Sequence, residues 1–261
     1  MEIIIAEGAA SAAQSVADRF EQVLEERGRF GATLGLATGS SPVAAYQELI
    51  RRQQAGRLTF ARSRAFLLDE YIGLPREHEQ SYYRFIRDNF TAHVDIPDDK
   101  VLSPDGNAAD PRAEAAAYDE AIARAGGVDL QILGIGANGH IGFNEPSSSF
   151  ASRTRVKTLT EKTIADNARF FDDPDQVPIH VLTQGLGTIM EARRIVLTAG
   201  GKGKADAVRR MVEGPLSAAC PASILQMHPA VTIIVDEDAA SELSHVDYYR
   251  FIESQQSRLA R

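Results

Sequence analysis

A chain of 261 residues with 44% hydrophobic and 25% charged side chains has the composition of a folded domain, which excludes a disordered polymer and a membrane protein. The net charge of -8 excludes the basic footprint of a general nucleic-acid binder, although local cationic patches can still hold small anions. The start MEIIIAEG lacks the basic flank and longer apolar region of a secretory signal, and a single cysteine, Cys220, excludes an intrachain disulfide framework. A reducing cytoplasm is therefore expected, with Cys220 as a small buried residue.

In chain order, short β-rich runs are predicted as strands at IIIA (3–6), ATLGLATG (32–39), RAFLLDE (64–70), VDLQILGIG (128–136), RIVLTAG (194–200) and VTIIVDE (231–237). Between the first two, Val16, Phe20, Val23 and Leu24 make one apolar stripe at i, i+4, i+7 and i+8, predicting a helix that Gly28 closes. Similar helical patterns follow the other runs. Near-continuous apolar strands alternating with helices predict one α/β domain over 1–261, with a mostly parallel sheet and helices on both faces. The polar segment within 146–178 interrupts this rhythm, either as a lid over a site or as a surface excursion.

Ligands of an open parallel sheet gather beyond the carboxyl ends of its strands, and four such junctions are unusual here. At Thr38-Gly39-Ser40-Ser41-Pro42, Ser41 is placed to cap a helix and Pro42 to sit in its first turn; the same helix start offers unpaired N–H groups to an anion. Gly200-Gly201-Lys202-Gly203-Lys204 is a second glycine-rich turn, with two cations but without the spacing of a nucleotide-triphosphate loop. Asp69-Glu70-Tyr71 puts a carboxylate where a hydrophobic strand opens, either as a turn cap or as a partly desolvated base.

The fourth junction, GIGANGHIGFNEP (134–146), begins like a dinucleotide-binding fingerprint. It lies mid-chain, meets Pro146 soon after, and is followed near 155–161 by RVKTLTE, where that motif requires a strand ending in an acid. The glycines are better read as permitting close backbone approach, which leaves His140 and Glu145 to face a site, with His140 either an acid/base beside Glu145 or a structural histidine. The six histidines include no close pair and no H-E-x-x-H arrangement, so no metal is expected.

Together LATGSSP, LLDEYIGL, SYYRF, GIGANGHIGFNEP, SRTRVKTLT, RFF and QVP resemble the glucosamine-6-phosphate deaminase family, with motifs in order from about residue 32 to 237. The resemblance implies a Rossmann-like fold of the deaminase/ribose-phosphate isomerase/CoA-transferase type. It also implies conversion of glucosamine 6-phosphate and water into fructose 6-phosphate and ammonia, with no organic cofactor or catalytic metal. Asp69 then matches the base at C2, and His140, supported by Glu145 and Asn138, matches the acid/base of ring opening. Asn138 stands where some members carry aspartate, so it is assigned orienting hydrogen bonds.

By the same matching, Gly39, Ser40, Ser41, Arg169 and Lys204 hold the substrate phosphate. Some members are hexamers activated by N-acetylglucosamine 6-phosphate; the matching effector positions are Ser148, Arg155, Lys157 and Thr158, whereas the carboxy-terminal YYRFIESQ departs from the regulated pattern. The subunit count, hexamer or lower, stays open. A phosphogluconolactone hydrolase and a non-catalytic sugar-phosphate sensor are the competing readings. The first does not need Asp69 together with the N-E-P loop, and the second lacks an additional helix-turn-helix segment.

Overall fold

In the computed structural model, residues 1–160, 164, 171 and 176–259 are described, with the side chains of 257–259 excepted. Ten strands are present among them: β1 Glu2–Ala6, β2 Thr33–Leu36, β3 Arg64–Leu67, β4 Asp69–Tyr71, β5 Val101–Leu102, β6 Leu130–Leu133, β7 Arg155–Thr158, β8 His180–Thr183, β9 Ile195–Ala199 and β10 Val231–Asp236. The α-helices are α1 Ala9–Arg27, α2 Ser40–Gln54, α3 Tyr82–Asn89, α4 Pro111–Arg124, α5 Leu186–Met190, α6 Ala205–Val212 and α7 Val246–Leu259.

Seven strands form one sheet in the order β1-β10-β9-β6-β2-β3-β5, and every pair in it is parallel. The predicted α/β class is borne out. Parallel strands need crossovers, and helices covering the sheet leave β2, β6 and β9 buried at every position, which is why they read as unbroken apolar runs. The stripe on α1 does what its spacing requires: Val16, Phe20 and Val23 are buried, Leu24 packs against the same core, and Gly28 ends the helix at φ 45°.

The chain leaves β2 towards β3 and β5, but leaves β6 in the opposite direction, towards β9 and β10. The strand order therefore reverses between β2 and β6, which opens a crevice beyond their carboxyl ends. The loops after these two strands are Thr38–Gly39 and Gly134–Pro146, two of the four junctions singled out above.

Two features differ from the strands expected. The run 64–70 is not one strand: Leu68 donates its N–H to Leu36 in the main sheet and accepts from Gln184 N–H, and the chain then enters a second sheet as β4. That second sheet is antiparallel, in the order β4-β8-β7, with Asp69 opposite Thr183 and Thr183 opposite Arg155. Part of the polar segment 146–178 is thus strand β7. Its RVKT sequence is only half-covered, so it carries no continuous apolar signal.

Candidate active site

Most of the chemistry-bearing residues named from the sequence converge on one cleft of about 450 Å³ at this crevice. Asp69, Asn138, His140 and Glu145 line it, together with Gly39, Ser40, Ser41 and Lys204. Arg169 lies outside the described residues. Ser148, Arg155, Lys157 and Thr158 are not part of the cleft lining.

The end of the cleft at Gly39, Ser40 and Ser41 is built by β2 and α2. Gly39, at φ 93°, is the residue preceding α2, so Ser40 and Ser41 already belong to the first turn and Ser41 is not the cap. Pro42 sits in the first turn as expected. The cap shifts because the turn needs a left-handed residue, which glycine supplies without the Cβ penalty, and the helix start carries no side-chain cap. Buried Tyr46 pins this turn to β2: its hydroxyl donates to Ala37 O at 2.8 Å and accepts from Ala37 N–H at 3.2 Å. Facing it, Gly201 N–H donates to both carboxylate oxygens of Asp236 at 3.0 and 2.9 Å, fixing the turn that leads through Lys204 into α6.

Asp69 is delivered by the break at Leu68. It is 4% exposed, and among the described residues its Oδ1 has no hydrogen-bond partner. Burial first, and the charge of Glu70 second, push its carboxyl well above the usual carboxylate range. Glu70 is oppositely arranged. Its carboxylate accepts the N–H groups of Tyr71, Tyr82 and Tyr83 at 2.8–2.9 Å, which clamps β4 to the start of α3. A buried carboxyl oxygen on a cleft wall without a partner among the described residues is the exception to polar satisfaction that functional sites tolerate.

The 134–146 stretch is a loop with no helix, as the failed fingerprint requires. Its glycines serve close approach: a Cβ on Gly136 would fall 2.2 Å from the His140 ring. Asn138 Nδ2 donates to Glu145 Oε2 at 2.6 Å, and Asn138 Oδ1 accepts from His140 N–H at 3.2 Å. His140 Nδ1 stands 3.4 Å from Glu145 Oε1, close enough for attraction yet without a hydrogen bond. His140, opposed by burial and aided by Asn138, holds the Glu145 carboxyl below its usual range.

The four outlying residues are placed on and beside β7. Arg155 Nη1 donates to Asn144 Oδ1 at 2.8 Å and Nη2 to Ser148 Oγ at 3.3 Å, while Thr158 Oγ1 lies 3.2 Å from His180 Nδ1. Ser148 and Arg155 therefore meet, and Lys157 is close enough to contribute to the lowered Glu145 carboxyl.

Sequence reasoning missed the aromatic wall. Tyr82 and Phe143 both line the cleft, their rings stacked at 5.9 Å between centroids and 10° between planes, with Tyr71 behind at 4.5 Å from Tyr82. SYYRF and GFNEP contain these residues, but nothing local distinguishes a cleft aromatic from a core one.

The open parallel sheet with its antiparallel annex and strand-end cleft places the chain in the α/β class. Within that class, the model of the glucosamine-6-phosphate isomerases/6-phosphogluconolactonase family matches residues 5–234, and the chain belongs to this family. A glucosamine-6-phosphate deaminase from Corynebacterium aurimucosum (strain ATCC 700975 / DSM 44827 / CIP 107346 / CN-1) is 60% identical over 259 residues, 99% of this chain and 100% of its own. One from Rhodococcus jostii (strain RHA1) is 58% identical over 251 residues, 96% of each chain. Among solved structures, a monomeric glucosamine-6-phosphate deaminase described as a missing link of the NagB superfamily superposes with a TM-score of 0.89 at 42% identity, covering 93% of this chain and 100% of that one. The 6-phosphogluconolactonase from Trypanosoma cruzi gives 0.73 at 21% identity over 93% and 97%, a likeness of fold.

Proposed function

We infer that this chain is a hydrolytic deaminase that converts glucosamine 6-phosphate and water into fructose 6-phosphate and ammonia. The observation that carries the reading is the buried Asp69 carboxyl, its Oδ1 without a hydrogen-bond partner among the described residues, sharing one cleft with the Asn138–His140–Glu145 group and the open start of α2. The phosphate is held by the N–H groups at Gly39, Ser40 and Ser41, by Lys204, and by Arg169. These charges position the sugar and take no part in proton transfer.

His140 moves the proton between the anomeric hydroxyl and the ring oxygen that opens the pyranose, and Glu145 stabilises the imidazolium formed on the way. Ionised Asp69 removes the C2 proton of the open aldehyde; the electron pair flows to the carbonyl oxygen, which takes a proton from the C2 ammonium, and gives an enolamine. Returning that proton to C1 leaves a ketimine at C2. Water adds to this carbon, and the C–N bond breaks with ammonia leaving. A raised Asp69 pKa makes the carboxylate a stronger base once ionised, suited to a carbon acid.

N-acetylglucosamine 6-phosphate is proposed as an effector at Ser148, Arg155, Lys157 and Thr158 in a homo-oligomer, hexamer or lower, with a lid within 146–178. Arg155 and Ser148 already meet, which supports a shared anion site. A phosphorylated sugar does not cross a membrane unaided, which supports a cytoplasmic site of action; no described helix is long and apolar enough to span one.

The test is to incubate purified protein with glucosamine 6-phosphate and follow ammonia and fructose 6-phosphate together. Equimolar release of both is expected, and binding without turnover overturns the reading. Light scattering gives the subunit count. A velocity curve unmoved by N-acetylglucosamine 6-phosphate removes the effector.

A further inference from the structure

The loop that carries Asn138, His140 and Glu145 is held from outside on two flanks. On one flank, Phe143 N–H donates to Thr183 Oγ1 at 3.1 Å and Asn144 Nδ2 to Gln184 O at 2.8 Å, which ties it to the end of β8. On the other flank, where Asn138 and His140 stand, the support is the turn Ser217–Ala222. Ala222 N–H donates to Gly139 O at 2.9 Å, between Asn138 and His140. Ser147 N–H donates to Ala218 O at 2.8 Å, just beyond Glu145 and Pro146.

Two side chains complete this grip. Cys220 is 3% exposed and fills the space against Gly139: a Cβ there would lie 2.5 Å from its Sγ and 3.3 Å from its Cα. Gly139 is held at φ 88° at that contact, so neither partner can take an added atom without displacing the loop. Arg210 spans the same junction from α6, with Nη2 reaching Ala137 O and Nη1 reaching Ala219 O, both at 3.4 Å. Its Nε donates to Asp206 at 2.8 Å, which fixes the guanidinium. The turn is itself closed by Cys220 N–H on Ser217 O at 2.9 Å and by Ser223 Oγ, which accepts from Ser217 N–H at 2.9 Å. Neither Cys220 nor Arg210 lines the cleft.

We propose that the Ser217–Ala222 turn sets the position of the proton-transfer loop, with Cys220 and Arg210 as its positioning residues; this rests on the acid/base role of His140 given above. Cys220 acts by its volume. The segment from Lys204 through α6 to this turn is one short run of chain, so the cation of the anion-binding end and the support of the acid/base end share a single element. A displacement of the order of 1 Å at a proton-transfer group costs up to ~10²-fold in rate, and such a loss falls on kcat when the binding groups stay in place.

The experiment compares Cys220→Ala, Cys220→Ser and Arg210→Gln with the unaltered full chain. The Ala and Gln variants are expected to lose roughly 5- to 50-fold in kcat with KM within about twofold, while the nearly isosteric Ser variant keeps kcat within about twofold. The His140 imidazole resonance, identified by its loss in His140→Gln, is expected to shift in the Ala variant with the other histidine signals unmoved. Unchanged kcat in both Ala and Gln variants, or kcat and KM worsening together in step with urea stability, overturns the proposal. If Cys220→Ala does not fold, Arg210→Gln decides alone by the same split. If the unaltered chain releases no ammonia, the deaminase reading fails, whereas the His140 resonance still decides whether the turn positions the loop.

Discussion

At Asp69 and Glu145 two carboxyls on one cleft are pushed in opposite directions, and the consequences for stability have opposite signs. The folded-state pKa of Asp69 lies above its unfolded value of ~3.9. Its contribution is full below that value and is lost as pH rises through the folded pKa, because the charged form is then buried. Asp69→Asn is expected to cut kcat by ~10²- to 10⁴-fold and to raise stability at pH 8 by about 1–2 kcal/mol, with the gain vanishing towards pH 4. Urea titrations at the two pH values, beside ammonia release, check both halves. Glu145 is depressed from an unfolded value of ~4.3, so its contribution is present above that value and lost as pH falls through the folded one. Glu145→Gln is expected to cost about 1–2 kcal/mol at pH 7, because the neutral amide loses the attraction to His140 and weakens the charge-assisted hydrogen bond from Asn138, with the cost shrinking as pH falls below ~4.3 through the folded pKa. Thermal melts across that range measure it.

Among elements, the start of α2 concentrates the binding argument. It offers first-turn N–H groups with no side-chain cap, which suits a phosphate and penalises a carboxylate placed in the same spot only when the substrate is present. Ser40→Asp is expected to raise KM by roughly 10- to 100-fold through like-charge repulsion, with kcat changed less than about threefold. The same substitution is expected to stabilise the empty protein by about 0.3–1 kcal/mol, because an acid in the first turn favours the helix dipole. Steady-state kinetics and urea unfolding on the one variant give both signs. The Ser41 cap expected from the sequence fails at this scale for a related reason: the spacing of Ser and Pro is compatible with two helix starts, and the backbone geometry at Gly39 selects the earlier one.

For the whole molecule, the main sheet and the annex carry different loads. Strands β2, β6 and β9 are buried throughout, whereas β7 is half-covered or exposed along its length. Hydrogen exchange is expected to be slowest in the amides of β2, β6 and β9, opening only with global unfolding, and faster in β7. Mass spectrometry of exchanged peptides checks this, and equal protection of both would mean that the annex unfolds only with the core.

Chain-order reading made the parallel sheet legible, because strands covered on both faces must be apolar at every position, and it located the strand-end junctions where ligands gather. It also separated the 134–146 loop from a dinucleotide turn, since Pro146 and the missing acid are local facts. Other features were decided only by the tertiary structure. The switch of chain at Leu68, the annex β4-β8-β7, the aromatic wall of Tyr82 and Phe143, and the grip of Ser217–Ala222 on Gly139 all depend on partners far away in sequence. Periodicity records how much of a side chain is covered; it does not record which distant residue covers it, and the geometry of the cleft is set by the latter.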